Sequence, residues 1–228
     1  MPGEPEGCVR CGTCCRKGGP VLHARDLSLF APGTPGARGP GRVLELSDLA
    51  TLRRGEPVLD PVTGRVERLS AECLKIKGRA ARDWTCRFFR EQDAACAIHE
   101  RRPAQCRALD CRDPSALAAM YREERLTRLD LIPAGHALAE LIRTHEDLAP
   151  ADRAVDLAAT PEDPAARAEL ARLLDADRTL RRLAVERAGI DPGDLDFLFG
   201  RNLEEVLRPL ASGQNRQPFA QRGDPDEG

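Results

Sequence analysis

The stretch Cys8-Val9-Arg10-Cys11-Gly12-Thr13-Cys14-Cys15 places four cysteines within eight residues, and the rest of the chain is read outward from it. A second set follows at Cys86, Cys96, Cys106 and Cys111, with spacers of nine, nine and four residues. Thiolate is the natural ligand of zinc and of iron–sulfur clusters, and such sites usually take four protein ligands. Eight thiols in two sets of four therefore read as a metal centre for zinc or iron. Cys-x-x-Cys-Gly suits a tight turn whose backbone N–H groups point at sulfur, with Gly12 free to take a positive φ. The side chains of adjacent Cys14 and Cys15 are expected to diverge, so that they serve two ions or one of them bridges. Cys8, Cys11 and Cys14 also match the opening of an iron–sulfur run, without the usual trailing Cys-Pro. The ninth cysteine, Cys73, lies outside the pattern and reads as a small buried apolar residue.

The 228 residues suit one domain with an extension, or two small domains. At 41% hydrophobic but 4% aromatic, the core must be built mostly from Leu, Ala and Val. Charged residues make up 32% of the chain, yet the formal net charge is −2. That balance gives no overall pull toward nucleic acid or an anionic membrane surface. Residues 1–7 (MPGEPEG) lack the basic and apolar segments of a secretory signal, and no run has the length of a membrane span. A cytoplasmic location is expected, where nine cysteines stay reduced and favour metal over disulfides. Of 35 Lys and Arg residues only Lys17, Lys75 and Lys77 are lysine, a skew read as the mark of a GC-rich genome.

Between the two cysteine sets, residues 21–30 suit a short strand and a turn of helix, and 31–41 is a loop by composition. Ser47 is a fair cap for a short helix over 48–54, which Gly55 ends. Residues 57–69 read as a β-hairpin around Pro61-Val62-Thr63-Gly64, covering the metal region. In the second set, Pro103 opens a helical turn that carries Cys106. Trp84, Phe88, Phe89 and Ile98 would form an apolar shell that keeps water from the metal. Arg10, Arg16, Lys17, Arg87, Arg90, Arg101, Arg102, Arg107 and Arg112 would offset the charge of the thiolates. His99, three residues past Cys96, is read with Arg102 and Arg107 as a neighbour of the ligands. His23, His136 and His145 show no ligand spacing, and His145 continues the apolar face of Leu138, Leu141 and Ile142.

Beyond Cys111 the pattern turns helical, over 113–126, 134–148, Pro164–Ala188 and 202–210. Gly189 stops the longest helix, and residues 211–228 are polar and expected to be disordered. The fold class is mainly α, with a small irregular Cys-rich, metal-stabilised region and one short β-hairpin. Residues 1–112 would form the cysteine-cluster domain and 113–210 a helical extension packed on it. No phosphate-binding glycine motif and no Ser-His-Asp set can be picked out, so a non-catalytic metal-binding module leads. The alternative is an iron–sulfur protein that transfers electrons or assists an enzyme, using Cys8, Cys11, Cys14 and a thiol of the second set.

The pattern C-x-x-C-x-x-C-C, then C-x-F ahead of C-x-I-[YH]-x-x-R-P-x-x-C-R and a closing Cys, resembles the YkgJ-type cysteine-cluster family of zinc- or iron-chelating domains, from whose commoner residues Arg87, His99 and Leu109-Asp110 depart. The matching residues are Cys8, Cys11, Cys14, Cys15, Cys86, Cys96, Ile98, Arg102, Pro103, Cys106, Arg107 and Cys111. The resemblance implies a bacterial, cytosolic protein whose partners are metal ions. A similar cysteine domain occurs in flagellin lysine methylases, which suggests by analogy a role beside a protein methyltransferase. The segment Leu195-Asp196-Phe197-Leu198-Phe199-Gly200-Arg201 is similar to the closing part of longer family members.

Overall fold

The computed structural model describes residues 11–30, 43–60, 62–80 and 83–211. Cys8, Arg10, the loop at 31–41 and the tail from 212 onward lie outside the described residues. The chain is mainly α with short two-stranded antiparallel sheets. Strands β1 (Leu49–Leu52), β2 (Pro57–Leu59), β3 (Val66–Arg68) and β4 (Cys73–Ile76) precede β5 (Gly78–Ala80), β6 (Asp83–Cys86), β7 (Phe89–Arg90) and β8 (Ala95–Cys96). They pair as β1 with β4, β2 with β3, β5 with β6 and β7 with β8. Helix α1 (Thr13–Arg16) comes before the strands, and α2 (Ala104–Ala108), α3 (Ser115–Met120) and α4 (Arg128–Leu131) follow them. The remaining helices are α5 (Ala137–Leu148), α6 (Ala151–Ala158), α7 (Pro164–Ala188), α8 (Leu195–Phe199) and α9 (Leu203–Ala211).

The short helix expected over 48–54 is instead a 3-10 turn followed by β1. Leu49, Thr51 and Arg53 alternate inward and are fully buried, which is the period of a strand. Thr51 Oγ1 donates to the Phe197 carbonyl at 2.6 Å, so a polar residue occupies an interior position. The β2–β3 hairpin forms as expected, with Leu59 opposite Val66. Its ion pairs go to Arg122 and to Asp156 of α6 rather than to the cysteines.

α3 ends at Met120, short of the expected 126, because the chain must become extended to deliver Leu126 to the core. Leu22 N donates to Leu74 O, Leu74 N to Leu126 O and Leu126 N to Leu22 O, each at 2.9 Å. All three side chains are buried at 2% exposure or less. The core around them joins Leu49, Ile76 and Phe89 to Ile132, Ile142 and Phe197, so it draws on both sides of residue 112. α7 has the expected bounds because its signals are local. Asp163 accepts from Ala165 N, Pro164 takes the first helical position, and Gly189 ends it at φ 66°.

A buried charge network binds the helices to β1. Arg53, fully buried, donates to the Ala149 carbonyl at 3.0 Å and to His145 Nδ1 at 3.1 Å. His145 Nε2 donates to Asp177 at 2.7 Å, and Asp177 also takes Arg181 at 3.1 Å and the Leu203 N–H. Arg128, 1% exposed, pairs with Glu72 and Glu146 and donates to the Leu198 carbonyl. Arg181 holds the Phe199 and Gly200 carbonyls, and Arg201 pairs with Glu56. A Cβ at Gly200 would lie 2.9 Å from both Arg53 Cγ and the Thr51 carbonyl, so only glycine fits there. Packed histidine is thus the role of His145, whose ring also stacks on Phe199 at 4.5 Å.

Candidate metal centre

Local structure delivers the thiols from four elements. Cys14 and Cys15 ride on α1, Cys86 ends β6, Cys96 lies in β8 and Cys106 sits in the α2 turn expected after Pro103. Gly12, at φ 78°, precedes α1 and lies against Phe89, where a Cβ would come within 2.4 Å of the ring. The Arg16 guanidinium lies over the same ring at 4.9 Å and pairs with Glu91 at 2.8 Å. These contacts seat the first cysteine set on the β7–β8 hairpin of the second. On the other side, Asp26 accepts from Ala104 N at 2.8 Å and Gln105 Oε1 accepts from Val21 N at 2.9 Å. Asp26 and Gln105 are buried and fix α2; no short motif marks either of them in the sequence.

The expectation that Cys14 and Cys15 diverge is not met, since their sulfurs lie 4.0 Å apart. A hydrogen bond between the two thiols splits their titration, holding Cys14 down to about 6 and pushing Cys15 up. Burial raises Cys86, Cys96 and Cys106, and further charge repulsion acts between the two sequence sets. Cys14 and Cys86 both act on Cys15 and on Cys106, and Cys96 acts on Cys86 and Cys106. Cys14, Cys15, Cys86, Cys96 and Cys106 therefore share one neighbourhood. Cys11 and Cys111 are exposed; a hydrogen bond with Thr13 lowers the Cys11 thiol. Cys73 is 1% exposed on β4 and pushed up to about 11 by burial, as an inert apolar thiol would be.

Among the described residues, no three His, Cys, Asp or Glu side chains are close enough together to hold a metal ion. The donor chemistry fits one all the same: the gathered donors are soft thiols, and Phe88, Ile98 and Cys15 pack on the apolar core beside buried Phe89 and Cys86. Trp84 departs from the expected shell, being 54% exposed. Arg102 and Arg90 favour the Cys96 thiolate, and Lys17 favours that of Cys14. Arg102 donates to the His99 carbonyl at 3.0 Å, and Arg107 to the Arg102 carbonyl. Arg87 and Arg112 are paired with Asp48 and Asp110. Burial holds Lys75 below the ordinary lysine value, opposed by Cys73 first and by Cys86 and Cys106 after it.

The sequence profile of a family described as "CxxCxxCC: Putative zinc- or iron-chelating domain" matches residues 7–124, just over half of the chain. The chain belongs to the CxxCxxCC family. Metal binding is the property for which that family is described. The CxxCxxCC segment takes in all nine cysteines and both sides of the α1–hairpin contact, and it stops before α4. No curated protein and no solved structure matches the chain. No helix among the described residues is long and apolar enough to cross a membrane.

Proposed function

We propose that the chain is a non-catalytic metal-binding module holding zinc or iron through Cys8, Cys11, Cys14, Cys15, Cys86, Cys96, Cys106 and Cys111. The observation that supports this most is the shared neighbourhood of five of those thiols, drawn from both sequence sets. Burial and mutual repulsion oppose ionisation of most of them, so the chain's own cations do not suffice to keep them as thiolates. A divalent metal supplies the missing charge and displaces the protons. In this reading Cys14, Cys15, Cys86, Cys96 and Cys106 form the gathered part of the eight-thiol set, and Phe89 and its apolar neighbours keep water away. Arg102 and Lys17 lower the charge around the site.

Elemental analysis of protein purified without oxygen tests the proposal. Zinc or iron bound in stoichiometric amount, in a colourless sample for zinc, is the expected outcome. Brown protein with visible absorption would assign an iron–sulfur cluster instead, in line with the alternative that the first three cysteines suggest. A folded, thermally stable preparation with neither metal would overturn the proposal.

A further inference from the structure

We infer that Cys14 and Cys15 chelate one and the same metal ion, as an adjacent pair held in place by the glycines that flank α1. The inference rests on the metal-binding reading above and begins to divide its ligands. The two sulfurs lie 4.0 Å apart. On a tetrahedral ion with metal–sulfur bonds of about 2.3 Å, any two ligand sulfurs stand roughly 3.8 Å apart. The pair is thus close to the spacing of two thiolates on a single ion and needs only a small adjustment to reach it. Ligands of two separate ions have no reason to approach so closely.

What brings neighbouring side chains together is the backbone around them. α1 spans only Thr13–Arg16, so Cys14 and Cys15 sit in a single turn whose two ends are fixed. At one end Gly12 lies so close to Phe89 of β7 that a Cβ would collide with the ring. At the other, Gly18 N donates to the Cys15 carbonyl at 3.3 Å, and Gly19 is pressed onto β4, where a Cβ would collide with the Ile76 carbonyl. A turn clamped on both sides loses little freedom when an ion binds. Cys11 stands apart: it is exposed, its Sγ donates to Thr13 Oγ1 at 3.4 Å, and it does not gather with Cys14 and Cys15 as a trio. Cys15 packs instead on the apolar cluster that contains Cys86 and Phe89, which sets the shared ion on the side of the second cysteine set.

Cadmium-113, loaded into the full chain in place of its own metal, tests this by nuclear magnetic resonance, because the β protons of a ligating cysteine couple to the ion that it holds. The β protons of Cys14 and Cys15 are expected to correlate with one shared cadmium signal. Signals with none in common, or coupling from only one of the pair, would overturn the inference. Counting bound zinc in Cys14→Ser, Cys15→Ser and the double variant gives a second reading. The double variant should lose no more ions than the more depleted single variant, since both residues empty the same site. Loss of a further ion in the double variant would contradict a shared site. Should a variant fail to fold, the cadmium spectrum of wild type decides alone. Wild type that takes up neither zinc nor cadmium would overturn the metal-binding reading itself, and so the two failures are distinguishable.

Discussion

The cysteine centre and the Arg53–His145–Asp177 interior are both buried polar regions, yet they solve the same electrostatic problem in opposite ways. In the interior, Arg53, Arg128, Arg181 and Arg201 face Glu56, Glu72, Glu146 and Asp177, and backbone carbonyls take further N–H groups. Charge is balanced within the chain. At the cysteines, like groups are brought together, and Lys17, Lys75 and Arg102 offset only part of their repulsion. The difference teaches where an external partner is required: the interior holds cations and carboxylates side by side, although Arg53 Nε and Nη2 lack hydrogen-bond partners, whereas the thiols have mostly like groups around them.

The largest effect is expected at the incomplete region. Cys106→Ser should strip most of the metal, since structural thiolate sites contribute on the order of 10 kcal/mol and depend on each ligand. Cys73→Ser, remote in role though close in sequence to β4's other residues, should leave metal content unchanged. Equal loss in both variants, read by elemental analysis, would erase the distinction between the eight cysteines and the ninth. Next in size, Asp177→Ala should lower stability by about 3 kcal/mol while metal content stays at the wild-type level. It leaves Arg181, His145 and the Leu203 N–H without their common acceptor. Denaturant unfolding checks the first part and elemental analysis the second.

A smaller effect separates the regions by pH. Burial, aided by Arg53 and Arg181 and opposed by Asp177, holds His145 below the ordinary histidine value. The folded chain keeps it neutral where the unfolded chain takes a proton, so its contribution is complete above about pH 6.5 and lost as pH falls below that. The melting temperature of the metal-loaded protein should drop between about pH 7 and pH 5, and His145→Gln should flatten part of that slope. An unchanged slope would place the sensitivity at the cysteines alone. Smallest of all, Thr51→Val should cost about 1 kcal/mol by leaving the Phe197 carbonyl without its donor.

How much of this was legible in the sequence follows from the range of each signal. α7 was readable end to end because Asp163, Pro164 and Gly189 mark it within a few residues. The metal chemistry was readable from residue type and spacing alone. β1 was hidden because Thr51 and Arg53 hold interior positions where a pattern of apolar residues is expected, leaving Leu49 and Leu52 at a helix-like spacing. The approach of Cys14 and Cys15 to Cys86, Cys96 and Cys106 depends on Gly12 against Phe89 and Asp26 against Ala104, contacts between segments more than seventy residues apart. Trp84 was placed near the ligands by proximity in sequence, yet it faces solvent.

The central claim is that the thiol cluster needs an external cation and the helical interior does not. Hydrogen exchange read by mass spectrometry, before and after chelation, tests it most directly. Protection should be lost around Thr13–Arg16, β6 to β8 and Ala104–Ala108, and kept through Ala137–Leu148 and Pro164–Ala188. Uniform loss through Pro164–Ala188, or unchanged protection around the cysteines, would contradict the account.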